Sequence, residues 1–295
     1  MSARLERLES SPQKTLAFAA LLAGAAAIAF SPIFVRLSDV SPTASAFWRV
    51  ALAVAPLWAW VACSPREPAS GGERYKALVL AGLFFAGDLA VWHLSIAYTS
   101  VANATLESNL APIFVTLGAW LLWRERVTRL FLGALAVTLL GAALLIGPNV
   151  NAGRLTLLGD ALGVLTAVFY AGYMLCLKSA TSGTSTARIM AIGTTVAAIA
   201  LLPCALLTAD AILPQDARGW MMLAGLALVS QIAGQSLIAY GFAHLPASFS
   251  SVSLLLQPVL AALYAWAILG EGMGAVQMAG GVIVLAGIWL ARRGS

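Results

Sequence analysis

The stretch LAPIFVTLGAWLLWRE (residues 110–125) has a second copy in LQPVLAALYAWAILGE (residues 256–271). Leu110, Pro112, Trp120 and Glu125 recur as Leu256, Pro258, Trp266 and Glu271, each pair 146 residues apart, and Gly141 and Gly287 keep that offset. Coincident matches among rarer residue types, each inside a long apolar run, mark a duplicated membrane unit. The pairing continues outward with a drifting offset. Arg49 matches Arg188, Gly24 matches Gly163 and Phe30 matches Phe169 at 139, while Ala81-Gly82-Leu83 matches Ala224-Gly225-Leu226 at 143.

Composition agrees with the duplication. Hydrophobic residues make up 61% of the chain and charged residues 10%, with a mean hydropathy of +0.90, where a soluble domain carries about 25% charged residues. The apolar content divides into ten runs, near 15–37, 42–63, 76–98, 100–122, 129–147, 156–178, 187–209, 219–242, 246–269 and 274–291. Each has the roughly 20 residues that cross a hydrocarbon core of about 30 Å. The expected fold is all-α and integral to the membrane. It has a cytoplasmic segment 1–14, a first five-helix repeat over 15–147, an external linker 148–155, a second repeat over 156–291 and a cytoplasmic tail 292–295.

Thirteen of the seventeen basic residues fall on one side if the N-terminus is inside, leaving Arg36, Arg49, Arg154 and Arg218 outside. That bias predicts N-in/C-in topology. Because five spans separate equivalent points of the repeats, the second enters the membrane from the opposite side: Glu125 is expected in the cytoplasm and Glu271 outside. Such inverted repeats give one fold two nearly equivalent conformations, open to either side of a midplane site. The net charge of +5 then reflects topology, and no basic stripe with interleaved aromatics points to nucleic acid. The N-terminal apolar run reads as an uncleaved anchor rather than a signal peptide.

The Pro112 helix followed by Trp120, Trp123-Arg124-Glu125-Arg126 and a glycine-rich helix, repeated as Pro258, Trp266, Leu269-Gly270-Glu271 and Gly280-Gly281, resembles the EamA family of the drug/metabolite transporter superfamily. The resemblance covers roughly 16–147 and 157–291. It implies a secondary transporter that exports small metabolites across a bacterial inner membrane, with a cavity between helices 1, 3, 4, 6, 8 and 9 and helices 5 and 10 as scaffold. Among members the chain is most similar to the YddG-type exporters of aromatic and other neutral amino acids. A multidrug, nucleoside or other metabolite exporter, and a passive channel, are the alternatives.

Candidate site residues are polar or aromatic groups within the spans. Glu107 stands mid-helix, where a carboxylate costs several kcal/mol unless paired, protonated or wet, and Asn103 lies one turn earlier on the same face. Asp88 has Trp92 one turn on, with His93 beside it as a group that titrates near neutrality. Gln231 and Gln235 share a face of helix 8, and Ser251, Ser253 and Gln257 punctuate helix 9. Phe30, Tyr170 and Tyr173 offer aromatic surface. Pro112 and Pro258 each remove a backbone hydrogen bond mid-helix and are expected hinges. Arg49 and Arg188 are expected to snorkel to headgroups, leaving an uncharged cavity suited to neutral amphipathic solutes.

Seven tryptophans, Trp48 among them, are expected as interfacial anchors. The three cysteines read as core thiols. No nucleophile–base set, HExxH or P-loop is present, and His93 and His244 lie toward opposite membrane sides, so no enzyme, ATP-driven pump, cofactor or metal site is expected. The expected partners are a small-molecule substrate, the lipid bilayer and, as coupling ion, protons. No obligate protein partner is indicated.

Overall fold

A computed structural model describes residues 12–65, 72–96, 98, 101–146, 156–181, 183–208 and 210–294, with the side chains of 72–74, 93, 96, 101–103 and 156 outside that description. Linker 148–155 and most of segment 1–14 lie outside it as well. Among the described residues ten helical spans are long and apolar enough to cross a membrane. We name them α1 (Pro12–Leu37), α2 (Pro42–Cys63), α3 (Gly72–Ile96), α4 (Val101–Ser108 and Ala111–Trp123), α5 (Arg129–Ile146), α6 (Thr156–Ala180), α7 (Thr186–Thr208), α8 (Ala217–His244), α9 (Ala247–Leu269) and α10 (Ala275–Gly294).

Local chemistry sets the helix boundaries. Ser41 and Ser185, which open the equivalent helices α2 and α7, accept from the N–H of Ala44 and Arg188. Asp216 does the same for Gly219 at 2.7 Å in front of α8, each cap satisfying a donor that a helix start leaves orphaned. The ends of α4 and α9 share one C-cap. Arg124 and Gly270 both take the left-handed conformation (φ 55° and 69°), and Glu125 and Glu271 then donate their N–H to Ala119 and Ala265 at 3.3 Å. The duplicated motif therefore folds to a duplicated structure.

Three spans are interrupted where the sequence places proline. In α1 the break falls at Ala29–Phe30 before Pro32, in α4 at Asn109–Leu110 before Pro112, and in α9 at residues 254–255 before Pro258. Proline has no N–H to continue the ladder, so bonds shorten to three-residue steps there, as in Ile113 N–H to Leu110 O and Gln257 N–H to Leu254 O, both 2.9 Å. In α8 the backbone widens instead, into a π-helical stretch over Leu226–Gly234. This stretch lies in the interval where the repeat offset grows from 143 to 146.

Among the described residues alanine is the commonest buried type, packed around larger side chains such as Phe131, Phe242 and Met174, while leucines such as Leu157, Leu207 and Leu122 and the tryptophans Trp58, Trp60, Trp120, Trp123, Trp220 and Trp289 face outward. An apolar exterior fits a lipid surround. Trp48 departs from the expected anchor role: it packs edge-on against Trp220 at 5.0 Å and donates to Ile212 O at 2.7 Å. Cys63 is exposed at the end of α2 rather than packed in the core.

The two halves do not form separate bundles. Among the described residues the principal partner of every helix lies in the other half: α5 with α10, α2 with α7, α3 with α6 and, as the counterpart of that pair, α8 with α1. The α5–α10 crossing brings backbones together through glycine. A Cβ at Gly141 would meet the amide N of Val284 at 2.6 Å, and one at Gly287 the amide N of Thr138 at 2.9 Å. Thr138 and Val284 are themselves 146 residues apart, so the contact obeys the repeat symmetry. Small residues allow such approach where lipid removes the hydrophobic drive for association.

Candidate functional site

The broken helices α4 and α9 meet on one face and part on the other. On the face where α1 begins, Ala111–Trp123 of α4 packs against Ala247–Ser253 of α9. The Glu125 carboxylate seals this junction, accepting the N–H of Ala247 at 3.2 Å and of Ser248 at 3.1 Å, an anion on a helix N-terminus. Beside it Lys178 donates to the carbonyls of Phe242 and Leu245, both at 2.8 Å, capping the end of α8.

The equivalent acid, Glu271, sits on the opposite face and pairs with Arg36 at the end of α1. Both are partly exposed, so the pair is a weak restraint. The two copies of one motif thus end on opposite faces of the molecule.

Between the parted pieces lies a cavity of about 450 Å³, within the roughly 300–1,000 Å³ of small-molecule sites. Thr105, Ser108 and Asn109 of α4 form one wall and Gln257, Pro258 and Ala261 of α9 another, while Arg36 and Pro42 lie at its rim on the opposite face. Of the expected site residues, Asp88, Trp92, Tyr170, Gln235, Gln257 and Pro258 line it. The Nε2 of Gln257 and the Oγ of Ser31, both in the lining, are buried without a hydrogen-bond partner.

Tyr173 and Gln231 stand immediately behind the lining. The Tyr173 hydroxyl donates to Gln235 Oε1 at 2.9 Å, and its ring lies 4.9 Å from Phe85. Gln231 donates to Thr194 Oγ1 at 3.1 Å.

Other expected residues lie elsewhere. Glu107 faces α6: it packs on Gly163, couples to Asp160, and leaves Oε2 buried without a partner. Phe30 stacks on Tyr264 at 4.1 Å. Ser251 and Ser253 are buried in the closed half of α9, donating to Ser248 O and Phe249 O, and Pro112 is buried at the start of the matching piece of α4. The side chains of His93 and Asn103 lie outside the described residues.

Arg49 corrects the expectation of an uncharged cavity. It does not snorkel; it is 8% exposed, donates from Nε to Gln231 Oε1 at 2.9 Å, and holds its guanidinium 5.5 Å from the Phe85 ring in the cavity wall. It stands seven residues into α2, about 10 Å along the axis at 1.5 Å per residue, deeper than the interfacial position expected of it.

Comparison with known proteins gives one answer. The profile of the EamA-like transporter family matches residues 15–147 and 157–293, the two repeats. The pseudopaline exporter CntI of Pseudomonas aeruginosa is 28% identical over 277 residues, covering 92% of this chain and 95% of its own length. An uncharacterized transporter of Archaeoglobus fulgidus is 28% identical over 222 residues, 75% of this chain and 78% of that one. A crystal structure of 18% sequence identity superposes with a TM-score of 0.78 over 96% of this chain and 97% of its own, a likeness of fold alone.

Proposed function

Because the chain belongs to the EamA-like transporter family, a family of multi-pass membrane transporters and not of enzymes, we propose that it is a secondary active exporter of small amphipathic metabolites, neutral and aromatic amino acids first, working by alternating access across a bacterial inner membrane. The observation that carries this reading is the asymmetry of α4 and α9: sealed by Glu125 on one face, parted around the cavity on the other. Exchanging the roles of the two repeats closes the open face and opens the sealed one, the operation an inverted repeat makes nearly isoenergetic. With the N-terminus inside, the present state faces outward. The exporter role named for the Pseudomonas relatives supports the direction of transport.

Tyr170, Trp92 and Leu89 give the cavity an aromatic and aliphatic wall, and Gln235 and Gln257 supply uncharged hydrogen-bonding groups. Protons are the coupling ion we propose, with Glu107 and its neighbour Asp160 as the carboxyl pair that carries them.

Purified protein in liposomes, loaded with unlabelled phenylalanine, is expected to exchange it for external labelled phenylalanine saturably and to accumulate it against a gradient when a pH difference is imposed. Glu107→Gln is expected to keep exchange and lose pH-driven accumulation. Unsaturable flux would make the protein a channel. Preference for nucleosides or organic cations over every amino acid would remove the substrate class.

A further inference from the structure

Resting on the amino-acid reading above, we propose that Arg49 and Asp88 form a split charge site that binds the two ends of a zwitterion, Arg49 taking the α-carboxylate and Asp88 the α-ammonium. Both side chains line the same cavity, one from α2 and one from α3. They stand near enough for each to feel the other's charge, yet they are not in contact: among the described residues no salt bridge within 4.0 Å joins them. The fold keeps the two charges apart.

Each half of the site is oriented. Gln231, itself held by Thr194, takes the Nε of Arg49, and among the described residues no acceptor engages Nη1 or Nη2. Those two nitrogens form the planar fork that matches a carboxylate. On α3, Phe85, Asp88 and Trp92 follow one another at three and four residues, so they share a face. Phe85 supports the guanidinium, and Trp92 and Leu89 adjoin Asp88 as apolar surface for a side chain.

Energetics set the specificity. Within the bilayer an uncompensated charge is costly, and removing one partner of a buried pair leaves the other unmatched. An anion alone would satisfy Arg49 and strand Asp88; a cation alone would do the reverse. Only a solute carrying both charges, at a spacing that spans the gap, satisfies both, so selection against singly charged analogues is built into the site.

The test is competition for labelled phenylalanine exchange in proteoliposomes by phenylalanine, 3-phenylpropionate and phenethylamine, which carry both charges, the carboxylate alone and the ammonium alone. In the wild type, phenylalanine should compete well and the other two poorly. In Asp88→Asn, 3-phenylpropionate should gain about tenfold or more relative to phenylalanine, and in Arg49→Gln phenethylamine should gain similarly, a tenfold change corresponding to about 1.4 kcal/mol. If Arg49→Gln is not monodisperse on size exclusion, Arg49→Lys, which keeps the charge and loses the fork, should retain the zwitterion preference at weaker affinity, and Asp88→Asn still decides the other half. Wild-type exchange of phenylalanine with an unchanged rank order in the folded variants would overturn this assignment alone. Wild-type failure to exchange any amino acid would overturn the broader reading as well.

Discussion

At the scale of single residues, the chain shows how far a linear code specifies depth and how little it specifies direction. Asp88 and Trp92 were legible as cavity candidates because a carboxylate inside an apolar span has no lipid-facing solution and Trp92, one turn on, shares its face. Arg49 was not: its position along α2 is in the sequence, but the rotation that turns it toward Phe85 and Gln231 comes from α2 packing on α7 and α8. The same limit applies to Glu107, whose mid-span depth is evident while its docking on Gly163 of α6 depends on tertiary packing.

Arg124 carries a testable cost. Its φ of 55° is the conformation Gly270 adopts at the matching cap, and a non-glycine residue there is strained by about 1–2 kcal/mol. Its guanidinium, 6.0 Å from the Trp120 ring, offsets part of this, by about 0.5 kcal/mol at an exposed site. Arg124→Gly is therefore expected to raise, and Gly270→Arg to lower, the melting temperature of the detergent-solubilised protein. A fall in the first variant would show that the cation–π contact outweighs the strain.

At the scale of elements, apolar run length located all ten spans to within a few residues, and Pro112 and Pro258 marked the breaks in α4 and α9. The π-helical stretch of α8 was invisible, since widening a helix needs no special side chain and leaves only a shifted offset between repeats. Nor did sequence show what the glycines of α5 and α10 touch. Gly141 and Gly287 meet the facing backbone, whereas a Cβ added at Gly133, on the same helix as Gly141, would have nothing within 4 Å. Gly141→Leu and Gly287→Leu should each sharply reduce the yield of monodisperse protein, by similar amounts because the sites are symmetry-equivalent, and Gly133→Leu should leave it unchanged. Size-exclusion profiles of the three variants decide this; tolerance of Leu at 141 or 287 would contradict the backbone contact.

At the scale of the whole molecule, the duplication and its inversion were readable from the doubled motif and from an odd number of helices per half, but the intertwining of the halves was not, because a repeat in sequence does not say whether its copies pack side by side or through one another. The inversion has a direct check. In a variant with Cys63, Cys176 and Cys204 replaced, single cysteines at positions 126 and 272 should respond differently to a membrane-impermeant thiol reagent on intact cells: Gly272→Cys labels, and Arg126→Cys labels only after lysis. Labelling of both or neither would mean the two motifs do not end on opposite sides. The intertwining also bears on how the protein is made. Since, among the described residues, every helix finds its principal partner in the other half, a ribosome that has finished α5 has released five helices that still lack their principal mates, and assembly waits for the second half of the message. Residues 1–155 produced alone are then expected to be cleared by proteolysis within a pulse-chase, and to persist when residues 156–295 are supplied as a separate chain.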